Sequence, residues 1–169
     1  MDVILSIKPK YVDAILRGEK KYEFRKNIFK GKKIDDIYIY SSSPIKKIVA
    51  SFTVKRIIED RPNNLWDKLK DYSGLDDKEF FNYFTDNGKG FAIEIDNLEK
   101  FKNPIDPKTL IPGFTPPQSF CYLEASLLPK NNINKSKVSQ KNNFQPTNNH
   151  TKQSYQETLF KYNKIALTK

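Results

Sequence analysis

The residues best placed to do chemistry lie in one short run, Gly18-Glu19-Lys20-Lys21-Tyr22-Glu23-Phe24-Arg25. Glu23 can accept hydrogen bonds from the donors of a base or sugar, while Lys20, Lys21 and Arg25 can reach phosphate or carbonyl oxygens. A lysine buried beside a carboxylate also acquires a shifted pKa and can act as a base, which makes Lys20 and Glu23 candidate catalytic residues. The plainer alternative is a salt-bridged edge strand, whose exposed ion pairs contribute only ~0–1 kcal/mol. Spacing alone favours that alternative. Along a regular strand, Lys21, Glu23 and Arg25 share one face, and Lys20 points the other way with Tyr22 and Phe24. Lys20, Glu23 and Arg25 meet one ligand only if the chain bends after Gly18, where glycine permits it.

Other candidates also carry two readings. Lys8 ends a strand just ahead of a helix start, where backbone N–H groups receive anions; an ordinary strand-to-helix turn has the same look. Ser41, Ser42 and Ser43 end a strong strand before Pro44, and either bind phosphate or a base edge or cap the turn. Gln118 follows a diproline and precedes aromatics, which places an amide for base recognition or closes the fold. Arg25, Lys26, Lys30, Lys32 and Lys33 fall within nine residues. Such a run is a solvated loop or a surface that tracks phosphates.

Composition narrows the chemistry. Cys121 and His150 are the only cysteine and histidine. One cysteine forms no internal disulfide, so a reducing cytoplasm is expected. A zinc site wants three or four ligands, so no metal and no cofactor is expected. His150 sits in a polar tract, which argues against a Cys–His pair. No apolar run nears the ~20 residues of a membrane span, so no membrane partner is expected.

The elements that must position these residues read clearly in part. Residues 2–7 are a β-rich strand, and 8–17 a helix with Pro9 in its first turn and Gly18 just past its end. Residues 20–25 alternate as a strand. Strong strands follow in "IDDIYIYSS" and "IKKIVASFTVKRIIE", separated by Ser-Ser-Pro. Helices are expected over 62–71, with Leu65, Trp66 and Leu69 buried, and over 75–84. The aromatics at 80, 81, 83 and 84 have helical spacing and are assigned to the core. Phe91, Ile93 and Ile95 alternate in a further strand that Pro104 and Pro107 should break, and a last short strand lies around 119–123. Short turns between strands point to an α+β fold: a small mixed β-barrel with flanking helices over residues 1–124.

Charge divides the chain unevenly. The net charge is +10. Residues 1–60 hold 14 basic and 8 acidic residues, and residues 61–124 hold 8 and 11. Residues 125–169 carry eight lysines and one acid, Glu157. Residues 131–150 contain seven asparagines and two glutamines, too polar to offset chain entropy, so 125–169 is expected to be a largely disordered tail.

Together these segments resemble the ASCH domain family of the PUA-like β-barrels. The resemblance rests on "SIKP" (6–9) and on Gly18, Lys20, Glu23 and Arg25, which match the family's G-x-K-x-x-E-x-R motif. Segments 37–52, 74–84, 90–95 and 116–120 extend it over roughly residues 1–123. It implies a PUA-like barrel with a cleft beside the motif strand, lined by Gly18, Lys20, Glu23 and Arg25 with Lys8 and Ser41–Ser43 nearby. It also implies RNA or a nucleotide as ligand. One branch is similar to acetylcytidine amidohydrolases: Lys20 matches their lysine, Glu23 stands in place of their threonine, and Asp71 is the acid nearest their carboxylate position. Other members have been proposed as ribonucleases. The readings that follow are a regulatory RNA-binding module, a hydrolase acting on RNA or a modified nucleoside through Lys20 and Glu23, and a nucleotide sensor working with a protein partner through the tail.

Overall fold

The computed structural model describes residues 1–30, 33–123 and 135–137. The expected tail lies outside the described residues except for Lys135–Lys137. The chain opens with strand β1 (Asp2–Ile7), helix α1 (Pro9–Leu16) and strand β2 (Tyr22–Arg25). Strands β3 (Ile37–Ser41) and β4 (Lys47–Asp60) follow. A helical insertion of α2 (Pro62–Leu69), a 3-10 turn (Lys70–Tyr72) and α3 (Asp77–Tyr83) leads into β5 (Gly90–Ile105). After a second 3-10 turn (Pro107–Thr109) come β6 (Phe120–Leu123) and β7 (Lys135–Lys137).

The strands form one mixed sheet in the order β2-β5-β4-β3-β1-β6, with β7 also on β5. The sheet curls into a half-barrel flanked by a few helices. Among the described residues only β1 and β3 run parallel. The parallel neighbour of β1 is thus β3, while β2 crosses to the far edge beside β5. Three register shifts along the β4–β5 ladder bend these two long strands, as bulges do. β5 also continues past Pro104 to Ile105, correcting the break expected there. One such shift lies beside Ile48↔Ile105, and bulges are where proline is tolerated in a sheet.

β1 is buried on both faces, as suits a strand inside a covered sheet. Val3, Leu5 and Ile7 join Val12 and Ile15 of α1 in one core, and Ile4 packs with Tyr38, Tyr40 and Phe101 in another. A third core holds the insertion to the sheet through Leu65, Leu69, Phe80 and Phe84 against Tyr22, Phe24 and Ala92. Asp76 caps α3 by accepting from the Glu79 N–H at 2.7 Å. The helix amphipathicity is incomplete: Phe81 and Tyr83 are exposed, so only Phe80 and Phe84 are core.

Two glycines shape the approach to the motif. Gly18 takes φ +76°, with its N–H on Ile15 O and the Glu19 N–H on Ala14 O, a Schellman end to α1. Gly74 takes φ +64°, and a Cβ there would lie 2.7 Å from Lys20 Cβ. Both the backbone and the space require glycine at 74. Gly74→Ala should therefore lower unfolding free energy by about 1–3 kcal/mol in chemical denaturation. Gly88→Ala, at a site with open space, should not; equal losses at both sites would contradict this packing account.

Candidate functional site

The end of α1 sets the geometry of the site. After Gly18 the Lys20 N–H still bonds back to Ala14 O, so Lys20 belongs to the turn and β2 starts only at Tyr22. The strand alternation expected from residue 20 therefore fails at its first step, and the bend after Gly18 brings Lys20 round to Glu23. Lys20, Glu23 and Arg25 are only 3%, 6% and 6% exposed. The Glu23 carboxylate lies between the two cations, 3.6 Å from Lys20 Nζ and 3.1 Å from Arg25 Nη2. A buried carboxylate is costly unless paired and hydrogen-bonded, and here it has a cation on each oxygen.

Each cation also reaches a distant segment. Lys20 Nζ donates to Ser73 O at 2.9 Å. Arg25 Nη2 donates to Ser6 O at 2.9 Å and Nη1 to Ser119 O at 3.3 Å. Arg25 thus ties the β2 edge to the end of β1 and the approach to β6, on the opposite side of the curled sheet. Burial lowers the Lys20 pKa from its ordinary 10.5, and Arg25 adds to that, while Glu23 opposes it. Burial raises the phenols of Tyr11, Tyr40 and Tyr83, so they stay protonated donors.

These groups lie along a cleft of about 1030 Å³. Lys8, Ser42, Ser43 and Lys46 stand on one side, and Pro116, Pro117, Gln118 and Ser119 on another. Tyr11 of α1 and Glu79, Asn82 and Tyr83 of α3 complete the walls. Ser6 Oγ donates to Pro117 O at 2.6 Å and pins the diproline. Lys26 Nζ sits 5.5 Å above the Tyr83 ring, and its N–H donates to the Tyr83 hydroxyl at 3.3 Å. Of the residues expected from sequence, Lys8, Lys20, Glu23, Arg25, Lys26, Ser42, Ser43 and Gln118 line this cleft.

Three others do not line it. Lys21 is exposed and stacks over Tyr72 at 4.7 Å, because its backbone is held by Tyr72 O and the Ile95 N–H. Gly18 shapes the turn without lining the cleft. Ser41 is wholly buried, and its Oγ, like Arg25 Nε, finds no hydrogen-bond partner among the described residues. Asp71, the acid nearest the amidohydrolase carboxylate position, is also absent from the cleft. Tyr40, Lys46, Asn82 and Ser119 line the cleft without having been singled out, and Tyr83, which its spacing assigned to the core, lines it too. Lys46 carries a signal only in the backbone, its φ of 53°. Among the described residues no group of three or more His, Cys, Asp or Glu side chains could hold a metal ion. None of their helices is long and apolar enough to cross a membrane.

Comparison with known proteins places this geometry in context. The model of a family described as a domain of unknown function, DUF365, matches residues 1–113. An "ASCH domain-containing ribonuclease" of Zymomonas mobilis is 27% identical over 128 residues, covering 72% of this chain and 84% of that protein. The crystal structure of ASCH from Zymomonas mobilis superimposes with a TM-score of 0.69 at 26% identity, over 74% of this chain and 89% of that one. A point mutant of the same protein gives a TM-score of 0.68 at 25% identity, over 73% and 91%.

Two outcomes test the charge cluster. Glu23→Ala leaves two buried cations facing each other and should cost about 3–5 kcal/mol of stability. Lys20 binds its proton less tightly folded than unfolded, so between its folded pKa and 10.5 the unfolded state holds more protons. Stability contributed at this site therefore rises with pH across that window. In denaturation series, the wild type should gain on Lys20→Met as pH rises; parallel curves would contradict the buried charge.

Proposed function

We propose that this chain, which belongs to the ASCH domain family and to the domain family DUF365, binds RNA in the cleft beside the Gly18–Arg25 segment. One observation carries the reading. Among the described residues, Lys8, Lys26 and Lys46 line the cleft with no carboxylate at ion-pair distance. The cleft's two carboxylates are already engaged, Glu23 by Lys20 and Arg25, and Glu79 by Lys10. Unpaired lysines beside tyrosine rings and serine hydroxyls suit a phosphate backbone whose bases stack and hydrogen-bond on the walls. The ribonuclease name of the Zymomonas relative supports RNA as the ligand class.

That name also favours a second reading, RNA cleavage. In it a 2′-oxygen attacks the adjacent phosphorus as the P–O5′ bond breaks. Glu23 takes the 2′-hydroxyl proton, a solvent proton reaches the 5′-oxygen, and Lys20 and Arg25 hold the carboxylate's charge.

Anisotropy titration of a labelled single-stranded RNA against salt tests the binding reading. Log K should fall linearly with log salt. Lys8→Ala and Lys26→Ala should each flatten the slope by ~0.7 and weaken binding across RNA sequences. Absence of binding at low salt, or a slope of zero, would overturn it. Gel analysis of the same RNA decides cleavage: equal turnover in wild type and Glu23→Gln, or none in either, removes the second reading.

A further inference from the structure

Lys20 lines the cleft, yet its ammonium is spent elsewhere. Nζ donates to Ser73 O at 2.9 Å and lies 3.6 Å from Glu23. The Phe24 ring stands 4.7 Å from it and the Tyr11 ring 5.9 Å. At 3% exposure, with a carbonyl hydrogen bond, a paired carboxylate and two ring faces around it, this ammonium is enclosed by groups of the protein itself.

What Lys20 grips is the insertion. Ser73 is wholly buried. Its hydroxyl accepts from the Leu75 N–H at 3.1 Å and donates to Lys70 O at 2.8 Å, which ties the turn to itself. A second tie holds the same turn, from the Lys21 N–H to Tyr72 O at 2.9 Å. Gly74 supplies the clearance, since a Cβ there would strike Lys20 Cβ. Downstream of this anchor the chain runs through α3, whose Asn82 and Tyr83 form a cleft wall. Asn82 is exposed, and no hydrogen bond to its amide occurs among the described residues; a primary amide of this kind pairs with base edges.

We infer that Lys20 is a positioning residue that acts through the Ser73 carbonyl, setting the α3 wall so that Asn82 and Tyr83 meet the bound RNA. The inference rests on the RNA-binding reading for its ligand, but not for the latch itself.

Two measurements on Lys20→Met test it. In the free protein, amide hydrogen exchange should speed up across residues 72–84 while β1 and β3 stay protected; unchanged protection there would overturn the latch whether or not RNA binds. In titrations with labelled oligouridine, affinity should fall on the order of tenfold, with the log K against log salt line displaced but parallel. In an Asn82→Ala/Tyr83→Ala background, Lys20→Met should add no further loss. A slope flattened by ~0.7, or a full additive loss in that background, would mean that Lys20 touches phosphate itself and would overturn the inference. Should Lys20→Met fail to fold, Gly74→Ala strains the same latch from the other side. It should show the same local loss of protection and the same parallel displacement, and protection unchanged in it would likewise overturn the latch.

Discussion

The structure depends on one buried carboxylate. Glu23 draws Lys20 and Arg25 into the interior, and neither cation could stay there without it. Once inside, each donates to backbone carbonyls, and those carbonyls belong to segments far apart in sequence. Ser6 ends β1, Ser119 precedes β6, and Ser73 opens the path to α3. One charge cluster thereby fixes the relative places of the two edges of the half-barrel and of the helical insertion. Three buried charges are a poor source of stability compared with an apolar core. Their value here is geometric, since guanidinium and carboxylate have few acceptable arrangements.

The cleft inherits its division of labour from this arrangement. The charges of the Lys20–Glu23–Arg25 cluster are buried and engaged with one another. Those at the cleft rim, Lys8, Lys26 and Lys46, have no ion-pair partner among the described residues. On the proposed RNA-binding reading, a polyanion would meet its attraction at the rim and polar groups within. The aromatic wall is built the same way: Phe80 packs edge-on against Phe24 at 5.0 Å, so the helix presenting Tyr83 is seated on the strand bearing Glu23 and Arg25.

Much of this was legible in the residues. The alternating and β-branched runs marked β1, β3, β4 and β5, and proline and glycine marked both ends of α1. The G-x-K-x-x-E-x-R spacing located the charge cluster and even the need for a bend after Gly18. The rest depended on tertiary contacts that no local pattern encodes. Strand alternation placed Lys21, and not Lys20, with Glu23 and Arg25, and only the grip of Tyr72 O and the Ile95 N–H on its backbone turns it outward. Tyr83 shared its spacing with core aromatics, yet its position at the end of α3 leaves it on the cleft. Lys46 gave no hint in a run of ordinary turn residues, because its left-handed backbone is a property of the folded loop. Pro104 read as a strand breaker, and the bulged ladder accommodates it.

The central claim is that RNA enters the cleft over the Lys20–Glu23–Arg25 cluster. Two-dimensional NMR of isotope-labelled protein titrated with a short single-stranded RNA tests it most directly. The account predicts that the amides of Ser6, Lys8, Lys26 and Ser119 and the side-chain amides of Asn82 and Gln118 shift together and saturate at one equivalent, while the β4–β5 ladder around Arg56 and Glu94 stays still. Shifts concentrated on that ladder, with the cleft resonances unmoved, would contradict it.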